Sequence, residues 1–156
     1  MWNEEQYEEF SKKMEEKHPS MFDQPYGGFC IGPGWWPIIE ALCGQIDSYT
    51  KWRNNTREAL LKDNPHGHKI PDAVKPVKVA QIKEKFGGLR FYYDGGDDHI
   101  NGMVRMAEIW AGQACEECGK PGKSRSGGWI KTLCDEHEAE RQKRYEDMAR
   151  KDGLEL

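Results

Sequence analysis

The chain has 156 residues, 37% hydrophobic and 32% charged, with a formal net charge of −4. That length suits one compact domain with a modest core, enlarged by 6 Trp, 6 Tyr and 5 Phe, whose side chains each bury much area. Low complexity is excluded, no apolar run approaches the roughly 20 residues of a membrane-spanning helix, and bulk charge does not point to nucleic acid.

The N-terminal stretch MWNEEQYEEF is acidic and lacks the basic and apolar regions of a secretory signal, so the cytoplasm is the expected compartment. Residues 3–18 read as a helix: Asn3 and Gln6 resemble a capping box, Tyr7, Phe10 and Met14 recur at helical spacing, and Pro19 ends it. Residues 19–34 form a Pro- and Gly-punctuated loop. A second helix is expected from Trp35 to Trp52, with Pro37 in its first turn and a stripe of Ile39, Leu42, Cys43, Ile46 and Tyr49. Residues 53–76 are polar and contain three prolines, which predicts a short helical piece at 56–62 and then an exposed loop.

Residues 77–94 read as a β-hairpin turning at Gly87-Gly88, with Phe86 facing Leu89. One face then holds Ile82, Glu84, Phe86, Leu89, Phe91 and Tyr93, and the other Lys83, Lys85, Arg90 and Tyr92. Glu84 on the apolar face calls for a bulge or a buried partner. Asp97 or Asp98 caps a third helix with a stripe of Ile100, Met103, Val104, Ala107, Trp110 and Ala111. A last helix, 135–151, is mostly charged.

Five cysteines form no disulfide framework. Two stand as CEEC and one as CDEH, and Cys30 and Cys43 read as core thiols. Cys115-x2-Cys118, fifteen residues, then Cys134-x2-His137 is a spacing that offers three thiolates and an imidazole to one tetrahedral ion, with Zn2+ the expected metal. Gly119 and Gly122 suit a tight knuckle, residues 123–133 a second hairpin turning at Gly127-Gly128, and His137 the first turn of the last helix. Knuckle, hairpin and helix in this order describe a treble clef. Four protein ligands leave no open position, so the expected role is structural. The last helix is too poor in apolar residues to hold itself, and the ion anchors it.

For the other candidates the bland reading is the preferred one. Residues 76–93 hold four bases against one acid, and Lys83, Lys85, Arg90 and Tyr92 suit nucleic acid or a nucleotide as well as a solvated sheet face. Lys120, Lys123, Arg125 and Lys131 make a second basic cluster on the finger, a surface that zinc fingers often turn to nucleic acid, here diluted by Glu116, Glu117, Asp135 and Glu136. His66 and His68 read as metal ligands or, more simply, as exposed loop residues, Asp94, Asp97 and Asp98 as cation ligands or helix caps, and Trp35 and Trp36 as core or a stacking platform. No nucleophile, phosphate loop or catalytic histidine pattern assembles, so no enzyme is expected.

Three stretches, FCIGPGWWPIIEALC (29–43), VAQIKEKFGGLRFYYDGGDD (79–98) and CEECGKPGKSRSGGWIKTLCDEH (115–137), together resemble a family of small bacteriophage- and prophage-encoded proteins. The resemblance implies an accessory protein of the bacterial host cytoplasm that binds and disables a host protein complex, defence systems included. The expected architecture is α+β: three helices on a small antiparallel sheet in residues 1–112, then a treble-clef finger in 113–156 whose helix packs on the core. A dimer through exposed aromatics is compatible with the pattern.

Overall fold

The computed structural model describes residues 3–151 and is α+β, with four α-helices and two small sheets. In chain order come α1 (Glu4–Lys17), β1 (Phe29–Cys30), a 3-10 turn (Pro33–Trp35), α2 (Trp36–Lys62), β2 (Lys75–Lys85), β3 (Gly88–Gly96), α3 (Asp98–Ala111), β4 (Lys123–Arg125), β5 (Lys131–Leu133) and α4 (Asp135–Lys151).

The Asn3 side chain caps α1 by accepting from the Glu5 amide, and Phe10 and Met14 bury its apolar face. Phe10 stacks on Trp36 at 4.7 Å between ring centroids and meets Phe29 edge-on at 5.0 Å, joining α1, α2 and β1 in one aromatic cluster. Lys13 and Lys17 both reach Glu40 on α2 at 2.9 Å, and His18 at the end of α1 pairs with Asp47.

α2 runs unbroken to Lys62, where the sequence predicts an interruption after Trp52. The polar run Arg53-Asn54-Asn55-Thr56 contains no Gly or Pro, so nothing in it forces a break. Its polarity has another use. Asn54 donates to the Val74 carbonyl (3.3 Å) and accepts from the Val74 amide (2.9 Å), and Arg57 donates to the Pro71 carbonyl (2.7 Å). These side chains strap the 63–74 segment to the helix and satisfy backbone groups that no strand pairs.

The main sheet has the order β1-β2-β3 and is mixed, where a purely antiparallel one is expected. The two-residue β1 pairs parallel to β2, with Phe29 beside Ile82 and Cys30 beside Lys83. The hairpin turn is also displaced by one residue. Lys85 pairs with Gly88, so the loop is Phe86-Gly87, with φ of 53° and 76° as a type I′ turn requires. Phe86 therefore leaves the apolar face and stands in solvent, while Glu84, opposite Leu89, stays on it. The sheet does contain a bulge, but at Ala80 and not at Glu84: Val79 pairs with Tyr93 and Gln81 with Tyr92. That extra residue lets Val79 and Ile82, an odd number of positions apart, both face the core.

α3 is capped by Asp97, whose carboxylate accepts from the Ile100 amide (3.0 Å) and from the Tyr49 hydroxyl (2.7 Å). It buries Ile100, Val104, Ala107 and Ala111 against α2 and β3. None of the described helices is long and apolar enough to cross a membrane.

The Asn54 strap gives a direct test. Asn54→Ala removes both bonds to Val74 and is expected to cost about 1–2 kcal/mol in urea unfolding. The helical circular-dichroism signal should be retained, since Ala is the better helix former.

Candidate metal centre

Cys115, Cys118, Cys134 and His137 converge, with their ligand atoms all within 4.8 Å of one another. Two elements deliver them. The first is a tight knuckle, in which the Gly119 amide donates to the Cys115 carbonyl (2.8 Å) and the Cys115 amide to the Lys120 carbonyl (2.8 Å), with Gly119 at φ 76°. The second is the junction of β5 with α4, where Cys134 ends the strand and His137 lies one turn on.

The spacings suit a tetrahedral ion. With metal–sulfur bonds of about 2.3 Å and a metal–nitrogen bond of about 2.05 Å, tetrahedron edges are about 3.8 Å between sulfurs and about 3.6 Å between sulfur and nitrogen. Cys118 and Cys134 sulfurs are 3.9 Å apart, and His137 Nδ1 lies 3.5 Å from Cys115 Sγ and 3.2 Å from Cys134 Sγ. The His137 backbone N–H pulls the Cys134 thiol down to about 7, while burial and the sulfurs of Cys115 and Cys134 push Cys118 up to about 11. Three thiolates this close repel one another unless a cation neutralises them, so the donor set fits a metal ion. All four corners are protein ligands, the arrangement of a structural site. Among the described residues no other group of His, Cys, Asp or Glu comes together in this way.

The knuckle is docked on the turn before α2. The Gly34 amide donates to the Glu116 carbonyl (2.8 Å), and the Trp35 indole N–H donates to the Ala114 carbonyl (2.8 Å). A Cβ on Gly34 would lie 2.0 Å from the Cys115 carbonyl oxygen, so the two backbones touch. Trp35 is wholly buried, whereas Trp36 is partly buried against Phe10. Glu116, between the first two ligands, is 1% exposed and accepts from the Gly32 amide (3.2 Å) and from Lys131 Nζ (2.8 Å). Desolvation raises its pKa, against the opposing pull of Lys131. The hairpin tip makes a second junction: Thr132 Oγ1 donates to the Gly87 carbonyl (2.6 Å), and the Trp129 indole donates to Glu84 (3.1 Å), which also accepts from the Gly87 amide (2.6 Å). These are the partners that Glu84 needs on an apolar face.

α4 lies on its own hairpin. Arg141, nearly buried, donates to the Trp129 (2.8 Å) and Ser126 (3.2 Å) carbonyls and so ties the 126–130 loop to the helix.

The two basic clusters differ in kind. On the finger, Lys120 pairs with Glu136 (2.7 Å), Arg125 with Asp135 (2.5 Å) and the Leu133 carbonyl (3.1 Å), and Lys131 with Glu116. Lys123 stands exposed on β4, with Asp135 in its field. On the outer sheet face, Lys83, Lys85 and Arg90 make no ion pair among the described residues. Lys83 Nζ lies over the Tyr92 ring at 5.5 Å and Lys85 Nζ over the Phe86 ring at 5.7 Å.

The remaining candidates do not assemble. His66 and His68 stand edge to face in the exposed loop, their ring centroids 5.9 Å apart, and Asn64 brackets His68. His99 stacks on Tyr49, and Asp97 caps α3. Cys43 is a core thiol whose pKa burial pushes up. Cys30 is exposed at the sheet edge, against the expectation of a core thiol, because the parallel pairing sets it beside Lys83 on the outer face.

One surface escaped the sequence reading. Trp110, assigned to the core stripe of α3, is 54% exposed and stands with Met106 (65%) and Ile109 (57%). With Ile38, Ala41, Leu42, Gln45, Met103 and Ala107, Met106 and Trp110 line a groove of about 290 Å³ between α2 and α3. The signal was present: apolar residues at 100, 103, 104, 106, 107, 109, 110 and 111 span too wide an arc for one buried face.

Two outcomes are expected. Cys118→Ser should lower metal content measured by plasma mass spectrometry and reduce thermal stability, and a chelator should do the same to the wild type. Gly34→Ala leaves all four ligands in place but must push the knuckle off α2. It should cost about 3 kcal/mol or more in unfolding experiments, as a backbone clash with no flexible side chain to yield.

No protein-family model, curated protein or solved structure matches this chain, so its function is read from the residues themselves.

Proposed function

We propose that the chain is a non-catalytic binding protein, held in shape by one structural zinc in a treble-clef-like finger, that attaches to a host protein complex through the apolar face of α3. The observation that carries this reading is the exposed group Met106, Ile109 and Trp110 beside the α2–α3 groove. Contiguous exposed apolar surface costs solubility and stability unless a partner covers it. Its composition suits an amphipathic helix of the partner. The groove is almost wholly apolar, Met103 and Met106 can reshape around an inserted side chain, and Trp110 offers a large anchor at its margin.

Zinc is favoured over other ions because three thiolates and one imidazole in a closed tetrahedron match its preferences. Knuckle, β4–β5 hairpin and α4 follow one another in treble-clef order. The resemblance to phage-encoded proteins supports a host component as the partner and the bacterial cytoplasm as the place of action, a defence complex being one such target.

The test is reconstitution. A host protein retained from nuclease-treated bacterial lysate is purified and titrated by calorimetry against the wild type and Trp110→Glu. At least tenfold weaker binding by the variant is expected, as for the loss of an interface anchor, with metal content and thermal midpoint unchanged. Equal affinity for the two proteins would exclude the α3 face.

A further inference from the structure

We infer that the outer face of the β2–β3 hairpin and its tip form a binding site for single-stranded nucleic acid, with Tyr92 and Phe86 as stacking platforms and Lys83, Lys85 and Arg90 as phosphate contacts. The site shares no residue with the α3 groove and stands or falls separately from it.

The register sets these groups in a line. Tyr92 pairs with Gln81, Arg90 with Lys83 and Gly88 with Lys85, and the turn residue Phe86 follows. Paired residues point to the same side of a sheet, so Lys83, Lys85, Arg90 and Tyr92 share one face. Gln81 and Lys85 lie four strand positions apart, about 13 Å, and Phe86 follows in the turn, so the Tyr92 and Phe86 positions sit at separate points along the hairpin. An ammonium lies over each ring, that of Lys83 over Tyr92 and that of Lys85 over Phe86. The absent Cβ of Gly88 leaves room for the Arg90 guanidinium, which lies 3.0 Å from where that carbon would be. Arg90 thereby folds toward the tip and adds its charge to that of Lys85.

Three cations on one face without a paired carboxylate repel one another, and the finger shows the contrast, since Lys120, Arg125 and Lys131 each have an acid within 2.8 Å. The next residue of that face along β3 is Asp94, beyond Tyr92 at the end away from the tip. The local field is thus positive on a chain whose net charge is −4, and it suits an anion chain laid along the hairpin.

Phe86 carries the argument from charge to nucleic acid. It is 75% exposed and holds φ at 53°, a left-handed conformation that suits Gly or Asn and penalises a bulky side chain. It contributes little burial in return. An aromatic ring held at the tip against local preference, beside a lysine and in line with a second exposed ring, matches the pairing of stacking surface and cations that single strands require. A duplex hides its base faces and would use the cations alone.

The experiment is fluorescence anisotropy with labelled DNA and RNA oligonucleotides of about 12 nucleotides, single-stranded and duplex, at several salt concentrations. Single strands are expected to bind more tightly than duplexes, with log K falling against log salt at a slope of about −2 for three phosphate contacts. The DNA and RNA arms tell which sugar is preferred. Phe86→Gly and Tyr92→Ala should each weaken binding about tenfold, as for one lost stack, and Arg90→Gln should make the slope shallower by about 0.7. Phe86→Gly suits the left-handed turn, so an unchanged or raised thermal midpoint separates lost binding from lost folding. Trp110→Glu should bind like the wild type. Absence of binding at low salt would overturn the proposal, as would affinity indifferent to both aromatic substitutions. A polyglutamate peptide binding as tightly as the oligonucleotides would assign the face to an acidic protein instead.

Discussion

Gly34 lacks a side chain where the Cys115–Gly119 knuckle and the α+β core meet backbone to backbone. The Cys115 carbonyl oxygen occupies the position next to which a Cβ would have to stand. Around this contact the Gly34 amide, the Trp35 indole and the Gly32 amide donate respectively to the Glu116 backbone, the Ala114 backbone and the Glu116 carboxylate. The knuckle's two cysteines belong to the cluster whose spacing fits one ion, and such an ion would hold the knuckle in shape. The same hydrogen bonds link the knuckle to the start of α2 through Trp35 and to the residues just after α3 through Ala114, so order imposed by an ion would reach both helices. These are the two helices that frame the apolar groove, so the distant centre and the proposed docking face are mechanically joined.

The burial of Glu116 follows from the same contact. A carboxylate at that depth is costly unless paired and hydrogen-bonded. Lys131 comes from β5 and the Gly32 amide from the turn before α2, so this one side chain unites knuckle, hairpin and core. The finger uses its other charges in the same inward way, Lys120 with Glu136 and Arg125 with Asp135. These surface pairs contribute modestly to stability, but they tie up the charge of Lys120 and Arg125. On the outer face of the sheet Lys83, Lys85 and Arg90 instead stand together, with aromatic rings and no carboxylate as their near partners.

Local pattern was a good guide wherever a local rule decided the outcome. The ligand spacing announced the Cys/His cluster, helical periodicity announced α1 and α3, and Asp97 announced its cap. Apart from Trp110, whose exposure the wide apolar arc of α3 already signalled, the errors arose where long-range contacts decided. β1 has two residues and exists because β2 passes beside it, so no periodicity could reveal it. The hairpin turned at Phe86-Gly87 because Trp129 and Thr132 of the finger hold Glu84 and Gly87, contacts 45 residues away in sequence. Propensity favoured Gly87-Gly88, and tertiary contact prevailed over it. Asn54 and Arg57 suggested a break between Trp52 and a short helical piece at 56–62, because their partners, Val74 and Pro71, lie outside any window centred on them.

Residues that break a local rule fall into two groups here. Glu84 on an apolar face, Glu116 in the interior, Asn54 in mid-helix and Arg141 on a buried helix face each find hydrogen-bonding partners within the chain, so their cost is offset by the fold itself. Phe86 in a left-handed turn and Trp110 beyond the buried stripe of α3 find no comparable compensation: the first has a lysine over its ring, the second lines an open groove. A sequence that agrees with its fold at every level has no physical need of either residue. The compensation missing inside the molecule is what a bound partner would supply, and these two positions mark the surfaces where function is read from the fold.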